Sequence, residues 1–186
     1  MKTILGNNIE ELRLLLLQAA VLEPNVTAAA EALASALVRG DKLLACGNGG
    51  SAADASHLTT EFVCRYNKDR RPYPALSLAT HGGDLTAIGN DYDFNDLFSR
   101  QVEAFGKPGD VLMAFTTSGR SENIRRALLA AKKQGMQTIA FLGKDGGVCK
   151  GIADYELLVE SQTTARIQET HKLLLHTICE LVDARL

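Results

Sequence analysis

Short apolar runs recur along this chain at residues 42–46, 74–80, 111–115, 138–142 and 155–159, and stretches with helical character separate them. Runs that are apolar throughout, rather than alternating, have both faces buried, and connections this long are crossovers rather than hairpins. The pattern therefore predicts an α/β domain, a parallel sheet covered by helices on both faces. Those helices are predicted over 51–67, 84–88, 94–105, a stretch ending near Gly135, and 165–185. Before the first strand, Ile9, Leu12, Leu15, Leu16 and Val21 form an apolar face opposite Glu10, Glu11 and Arg13. Pro24 and Asn25 punctuate, and a second, alanine-rich helix covers 26–38, closed by Gly40. This N-terminal helical pair is apolar enough that another subunit is expected to cover part of it. No linker or repeat interrupts the pattern. Residues 1–186 read as one domain, with 1–40 serving packing and oligomerisation.

Composition narrows the function classes. Hydrophobic residues at 46% and charged residues at 23% are globular values, so a packed core is expected rather than disorder. A formal net charge of −2 argues against nucleic acid as a partner. The run Leu14-Leu15-Leu16-Leu17 is too short to span a bilayer, and no charged-then-apolar leader precedes it, so neither membrane nor secretion is expected. Cys46, Cys64, Cys149 and Cys179 are scattered without Cys-x-x-Cys spacing, which fits reduced, packed thiols in a cytoplasmic protein.

In a parallel α/β sheet, ligands bind beyond the carboxyl ends of the strands. Two loops of suitable chemistry are expected there. The first, Gly47-Asn48-Gly49-Gly50-Ser51, is a tight turn between strand and helix; its glycines let backbone approach a ligand, and Ser51 can cap the helix. It lacks the Lys of a P-loop, and on local grounds it is equally an ordinary connection. The second, Thr116-Thr117-Ser118-Gly119-Arg120-Ser121, offers hydroxyls to a phosphate, although Ser118 or Ser121 before Glu122 also reads as a helix cap. Two such loops on one edge favour a phosphate site, with Arg120, Lys144 and Arg65 as candidate charge partners. On the helix that follows the Gly-rich loop, His57 and, one turn beyond it, Glu61 put an imidazole and a carboxylate on one face.

The segments Cys-Gly-Asn-Gly-Gly-Ser at 46–51, His57 with Glu61, Gly-Asn-Asp at 89–91, Thr-Thr-Ser-Gly-x-Ser at 116–121, Gly-Lys-Asp-Gly-Gly at 143–147 and Arg-Ile-Gln-Glu-x-His with His176 together resemble the sugar isomerase (SIS) domain family, and within it the phosphoheptose isomerases. The resemblance runs nearly end to end. It implies a three-layer, flavodoxin-like α/β sandwich around a five-stranded parallel sheet, assembled as a homotetramer with active sites at subunit contacts. It also implies the aldose–ketose isomerisation of sedoheptulose 7-phosphate to D-glycero-D-manno-heptose 7-phosphate, for bacterial surface-polysaccharide heptose synthesis such as lipopolysaccharide. Position by position, His57, Glu61, Gln168 and His176 match the metal ligands, usually one zinc ion per subunit, and Glu61 with His176 matches the acid–base pair. Asn48, Gly49, Gly50, Asn90, Asp91, Thr116, Thr117, Ser118 and Ser121 match contacts to the phosphosugar, with Ser51, Glu61 and Gln168 beside them. Where some members carry an aspartate before Arg-Ile-Gln-Glu, this chain reads Thr163-Thr164-Ala165, and no contact is carried to that position.

The chemistry agrees with the resemblance. Moving a carbonyl between C1 and C2 needs a group to take a proton from one carbon and a group to return it to the other, which a carboxylate and an imidazole can do. An oxyanion develops on the way, and a divalent ion or hydrogen-bond donors would stabilise it. Gln168 and His176 are eight residues apart, roughly 12 Å along a helix. To share one ion, their side chains must lean together or come from different subunits. His171 reads as a hydrogen-bonded helix histidine rather than a ligand, and His81 has no assigned role. Three rivals are a non-catalytic relative binding the bacterial replication initiator, a sugar-phosphate sensor, and an isomerase of another phosphosugar. The first looks to have lost the glutamate and histidine pair; the other two usually carry additional domains.

Overall fold

The computed structural model describes residues 3–186. All five predicted strands form: β1 (Leu43–Gly47), β2 (Ala75–Ser77), β3 (Val111–Thr116), β4 (Gln137–Gly143) and β5 (Tyr155–Val159). They make one sheet in the order β2-β1-β3-β4-β5, and every neighbouring pair is parallel. The register runs from Leu43 opposite Val111 to Gly47 opposite Phe115, so β1 and β3 end at the same level. Seven helices accompany the sheet among the described residues: α1 (Ile4–Ala19), α2 (Glu23–Arg39), α3 (Gly50–Val63), α4 (Gly82–Asp91), α5 (Ser99–Phe105), α6 (Glu122–Lys133) and α7 (Thr164–Asp183). This strand order is the doubly wound, flavodoxin-like one, and its switch point lies between β1 and β3.

Alternate residues of each strand feed opposite cores, as the period of two requires. On one face Val111, Met113 and Phe115 of β3 pack with Leu33 and Leu37 of α2, Leu58 and Phe62 of α3, and Leu175 and Ile178 of α7. On the other, Leu112 and Ala114 pack with Val102 of α5 and Ile124 and Leu128 of α6. The helices are thus split into two layers around the sheet. Buried Asp110 locks the start of β3 to β1 by accepting from the backbone N–H groups of Lys42 and Lys107 and pairing with the Lys42 ammonium. Burial pushes the Cys46 and Cys179 thiols up, the latter to about 12, so both behave as packing groups rather than nucleophiles.

Several boundaries differ from expectation. The helix predicted over 51–67 stops at Val63 because the Arg70 guanidinium takes the carbonyls of Glu61 (2.6 Å) and Phe62 (3.1 Å) while gripping Asp183 (2.7 Å). Pro24 does not delay α2; it sits in the first turn, where no N–H is needed, and a 3₁₀ turn at Ala20–Leu22 joins α1 to α2. The strand predicted over 74–80 keeps only Ala75–Ser77, and the Thr80 hydroxyl then turns back to the Ser77 carbonyl. The helix predicted over 94–105 splits: the Asp93 side chain accepts from Asn95 N–H to start a 3₁₀ turn at Phe94–Asp96, and α5 begins at Ser99.

His171, inside α7, is fully buried and its Nε2 bonds the Leu142 carbonyl at 3.0 Å. It is a hydrogen-bonded core histidine, as expected. Burial is the main influence and lowers its pKa to about 4, against smaller upward pulls from the Leu142 carbonyl and Asp54. The unfolded chain, with an ordinary value near 6.5, binds this proton more readily. The stabilisation is therefore complete above about pH 6.5 and is lost as pH falls toward 4, by roughly 3 kcal/mol in total. His171→Gln keeps an N–H donor without titrating. Urea unfolding between pH 7 and 4.5 is expected to show a shallower loss for this variant than for the unaltered chain.

Candidate active site

The two loops singled out in the sequence follow β1 and β3, on either side of the switch point. Gly47 must be glycine here, because a Cβ would lie 2.4 Å from the Ser51 carbonyl oxygen. Gly49 has φ +56° and is itself the N-cap of α3, so the helix starts one residue earlier than expected. Ser51 consequently does not cap; it is buried within the first turn. Asn48 and Asn123 exchange a reciprocal pair of amide bonds at 2.9 Å each, which ties the Gly-rich turn to the first turn of α6.

In the second loop, the Thr116 hydroxyl meets those of Ser118 (3.4 Å) and Ser121 (3.3 Å) and accepts from Gly119 N–H (3.2 Å). Ser118 also accepts from Arg120 N–H at 3.1 Å. Ser121 occupies the N-cap position of α6 without a side-chain cap bond, because its hydroxyl turns inward to Thr116. The hydroxyls thus converge above the N-terminus of α6, whose dipole favours an anion. Thr117 is half-buried, with its carbonyl close over Gly143. Arg120 is engaged with Asp145 at 2.5 Å, and Lys144 has φ 55° in the adjoining loop after β4.

The third part of the site is made by α3 and α7. His57 Nε2 lies 2.9 Å from Glu61 Oε1 and 3.3 Å from His176 Nε2. One ligand atom from each of the three falls within 4.8 Å of the others, a spacing that can hold a metal ion. The His176 ring packs near Tyr66, whose hydroxyl donates to Glu180. His176 is held below the ordinary histidine value, first by burial and then by the charges of His57 and Lys172, while Glu61 and Glu180 pull the other way. At neutral pH its imidazole can therefore accept a proton.

Gln168 lies two turns before His176 on the same stripe of α7, and its amide rests against Gly50, where a Cβ would come within 2.2 Å of Nε2. It faces the Gly-rich turn. Asn90 and Asp91, expected in a loop, form the last turn of α4 because the helix continues until Tyr92 N–H bonds Ile88; both are exposed and bond each other at 2.7 Å. Sequence reasoning misses four further residues of the arrangement: Asn123, Arg70, Asp54 and Lys172. Lys172 lies midway between Gln168 and His176, and its ammonium bonds His57 Nδ1 (3.2 Å) and Asp54 Oδ1 (2.7 Å). Its spacing of four from both neighbours is the one signal of it in the sequence.

Among the described residues no helix is long and apolar enough to cross a membrane. The profile of the SIS domain family matches residues 9–143. The chain is 49% identical over 165 residues to the phosphoheptose isomerase of Geotalea daltonii, covering 89% of this chain and 86% of that one. It is 51% identical over 147 residues to that of Clostridium acetobutylicum, covering 79% and 75%. The solved phosphoheptose isomerase of Francisella tularensis superposes with a TM-score of 0.93 at 37% identity, over 97% of this chain and 96% of that one. The one from Neisseria gonorrhoeae gives 0.90 at 41% identity, over 97% of both. A parallel sheet in this order, two hydroxyl- and glycine-rich loops at its switch point and relatives this similar over most of their length lead to one conclusion: the chain belongs to the SIS domain family and, within it, to the phosphoheptose isomerases.

Proposed function

We propose that this chain is a cytoplasmic aldose–ketose isomerase that converts D-sedoheptulose 7-phosphate to D-glycero-D-manno-heptose 7-phosphate, supplying surface-polysaccharide heptose. The observation that carries the reading is the meeting of Glu61 and His176 at one imidazole edge, His57 Nε2, on the helix that begins at the Gly-rich turn of a chain whose second loop converges hydroxyls over a helix N-terminus. The phosphate would sit in the loop of Thr116, Thr117, Ser118 and Ser121, with Asn48, Gly49, Gly50 and Ser51 along the sugar. Anchored by that remote group, C1 and C2 are brought to the α3–α7 pair, so positioning supplies much of the rate. One of the pair removes the proton from C1 of the ketose and returns it to C2. The other gives a proton to O2 as the enediol forms and takes one from O1–H as it collapses, so no proton is lost overall.

His57, Glu61 and His176 present two nitrogens and an oxygen, a donor set that suits zinc; Gln168, the further ligand the family resemblance implies, rests at Gly50 two turns away and would join them from a neighbouring subunit. When bound, such an ion would stabilise negative charge developing on the substrate oxygens. The fit of the donors is what supports one zinc per subunit.

In a single chain the His57 side chain is 41% exposed. An enediol is better protected where water is excluded. Elsewhere on its surface α1 leaves Leu5, Ile9 and Leu17 exposed, the 3₁₀ turn after it Val21, α2 Val38 and α7 Leu173. We read the chain as one domain whose first forty residues serve a homotetramer that covers the site, with Asn90 and Asp91 contributed to the substrate. Light scattering on the purified protein is expected to give a four-chain mass; a monomer would remove this part of the reading.

Turnover of sedoheptulose 7-phosphate by purified protein, as isolated and after chelation, tests the activity. Conversion that chelation abolishes and zinc restores is the expected result. Protein that stays inert with added zinc would overturn the heptose assignment.

A further inference from the structure

The charged residue at the centre of the α3–α7 pair is not one of the residues assigned above. Lys172 is half-buried, its side chain 32% exposed, and it is fixed at both ends of its reach: to Asp54 Oδ1 at 2.7 Å and to His57 Nδ1 at 3.2 Å. Asp54 and His57 are neighbours one turn apart on α3, so a single ammonium from α7 bridges them. An ammonium can only donate. His57 Nδ1 must therefore accept, and the ring proton of the neutral imidazole lies on Nε2. From there it points at Glu61 Oε1, 2.9 Å away, with the lone pair of His176 Nε2 at 3.3 Å. The chain Asp54–Lys172–His57–Glu61 is thus satisfied link by link, with a proton on the nitrogen that a metal ion would use.

A metal on His57 Nε2 needs that nitrogen bare. In a neutral ring the proton then moves to Nδ1, where it meets the Lys172 ammonium, donor against donor. The ammonium also adds a positive charge across the ring from the position a cation would take, and it occupies Asp54, the carboxylate one turn earlier on α3. Metal-bound histidines are ordinarily supported on their other nitrogen by an acceptor. Here that place holds a donor.

We propose that Lys172 is a positioning residue that holds His57 in the proton-bearing tautomer and competes with a divalent cation for the His57–Glu61–His176 triad. This inference rests on the metal reading of the triad given above. It makes the site one in which metal is weakly held, and in which loss of Lys172 strengthens binding rather than weakening it.

The test is zinc affinity, read by competition with a chromophoric chelator at one fixed pH and with no substrate present. Lys172→Met keeps the length of the side chain and removes its charge. It is expected to bind Zn²⁺ about tenfold more tightly than the unaltered protein, since a unit charge ~7 Å from a divalent ion, across the imidazole ring, costs close to that much even in a water-like dielectric. Lys172→Arg, which keeps charge and donor, is expected to stay within a few-fold of the unaltered protein. Lys172→Met leaves Asp54 without its partner, so Asp54→Asn/Lys172→Met removes the pair together. The double variant should also bind more tightly, and it answers the question if the single variant fails to fold. Equal or weaker zinc binding by the folded Lys172→Met or double variant would overturn the proposal while leaving the metal reading intact. Absence of zinc binding in every form would overturn both, and turnover by that metal-free protein would show that the isomerase reading survives them.

Discussion

Glu61→Gln is expected to lower turnover of sedoheptulose 7-phosphate by ~100-fold or more, and His176→Ala to do the same, with folding retained in both. The amide introduced by the first exchange has the shape of the carboxylate and can still accept from His57, but it cannot take a proton at neutral pH. The clamp that seats this part of α3 uses the Glu61 backbone carbonyl rather than the side chain, so the exchange leaves Arg70 and Asp183 in place. His176 is only half-buried and holds no core contact of the kind made by His171, so its truncation opens space at the surface edge. If the two act as one proton-transfer unit, the double variant is expected to be little worse than either alone. The loss should fall on kcat more than on KM, because the phosphate loop is untouched. A loss of only a few-fold in both single variants would remove the acid–base assignment.

Gly119→Ala is expected to be the most damaging single-methyl change in the phosphate loop. Gly119 has φ +65°, which costs a residue with a Cβ about 1–2 kcal/mol by itself. The Cβ would also lie 2.2 Å from both the carbonyl carbon and the oxygen of Gly146, and backbone cannot swing aside as a side chain can. Gly119 O accepts from Cys149 N–H at 3.0 Å, so the loops after β3 and β4 are bonded across this contact and must shift together. The expected cost exceeds ~3 kcal/mol in urea unfolding, accompanied by a rise in KM for the phosphosugar as Thr116 and Ser121 lose their arrangement. Gly40→Ala supplies the comparison: φ is +92°, nothing lies within 4 Å of its Cβ, and only the conformational cost of about 1 kcal/mol should appear. Equal costs at the two positions would show that the collision at Gly119 is relieved cheaply.

The sheet is readable because five uniformly apolar runs separated by crossovers leave few alternatives, and even the edge strand β2 is legible, though it proves shorter than its apolar run. The candidate site is readable where its geometry rides on local pattern: glycine at a turn, hydroxyls before a helix, a histidine and a glutamate four residues apart. Ser51 misleads because a serine ahead of an apolar helix ordinarily caps it, whereas Gly49 at φ +56° can begin the helix sooner. Asn90 and Asp91 suggest a loop because Gly89 precedes them, yet α4 runs on through both. Lys172, Asn123 and Arg70 escape a sequence reading for a different reason. Each acts on a residue far along the chain, and a lysine on a helix or an arginine in a turn looks the same whether it faces water or a partner 115 residues away.

Arg70 gives the helix end near Glu61 an unusual dependence. Its guanidinium joins the Glu61 and Phe62 carbonyls to Asp183, in the final turn of α7, and the second oxygen of Asp183 accepts from Asn67 N–H at 3.3 Å. Glu61 is thereby moored, through its backbone, to the last turn of α7. Asp183→Asn, which weakens that grip from the other end, is expected to perturb Glu61 without touching it.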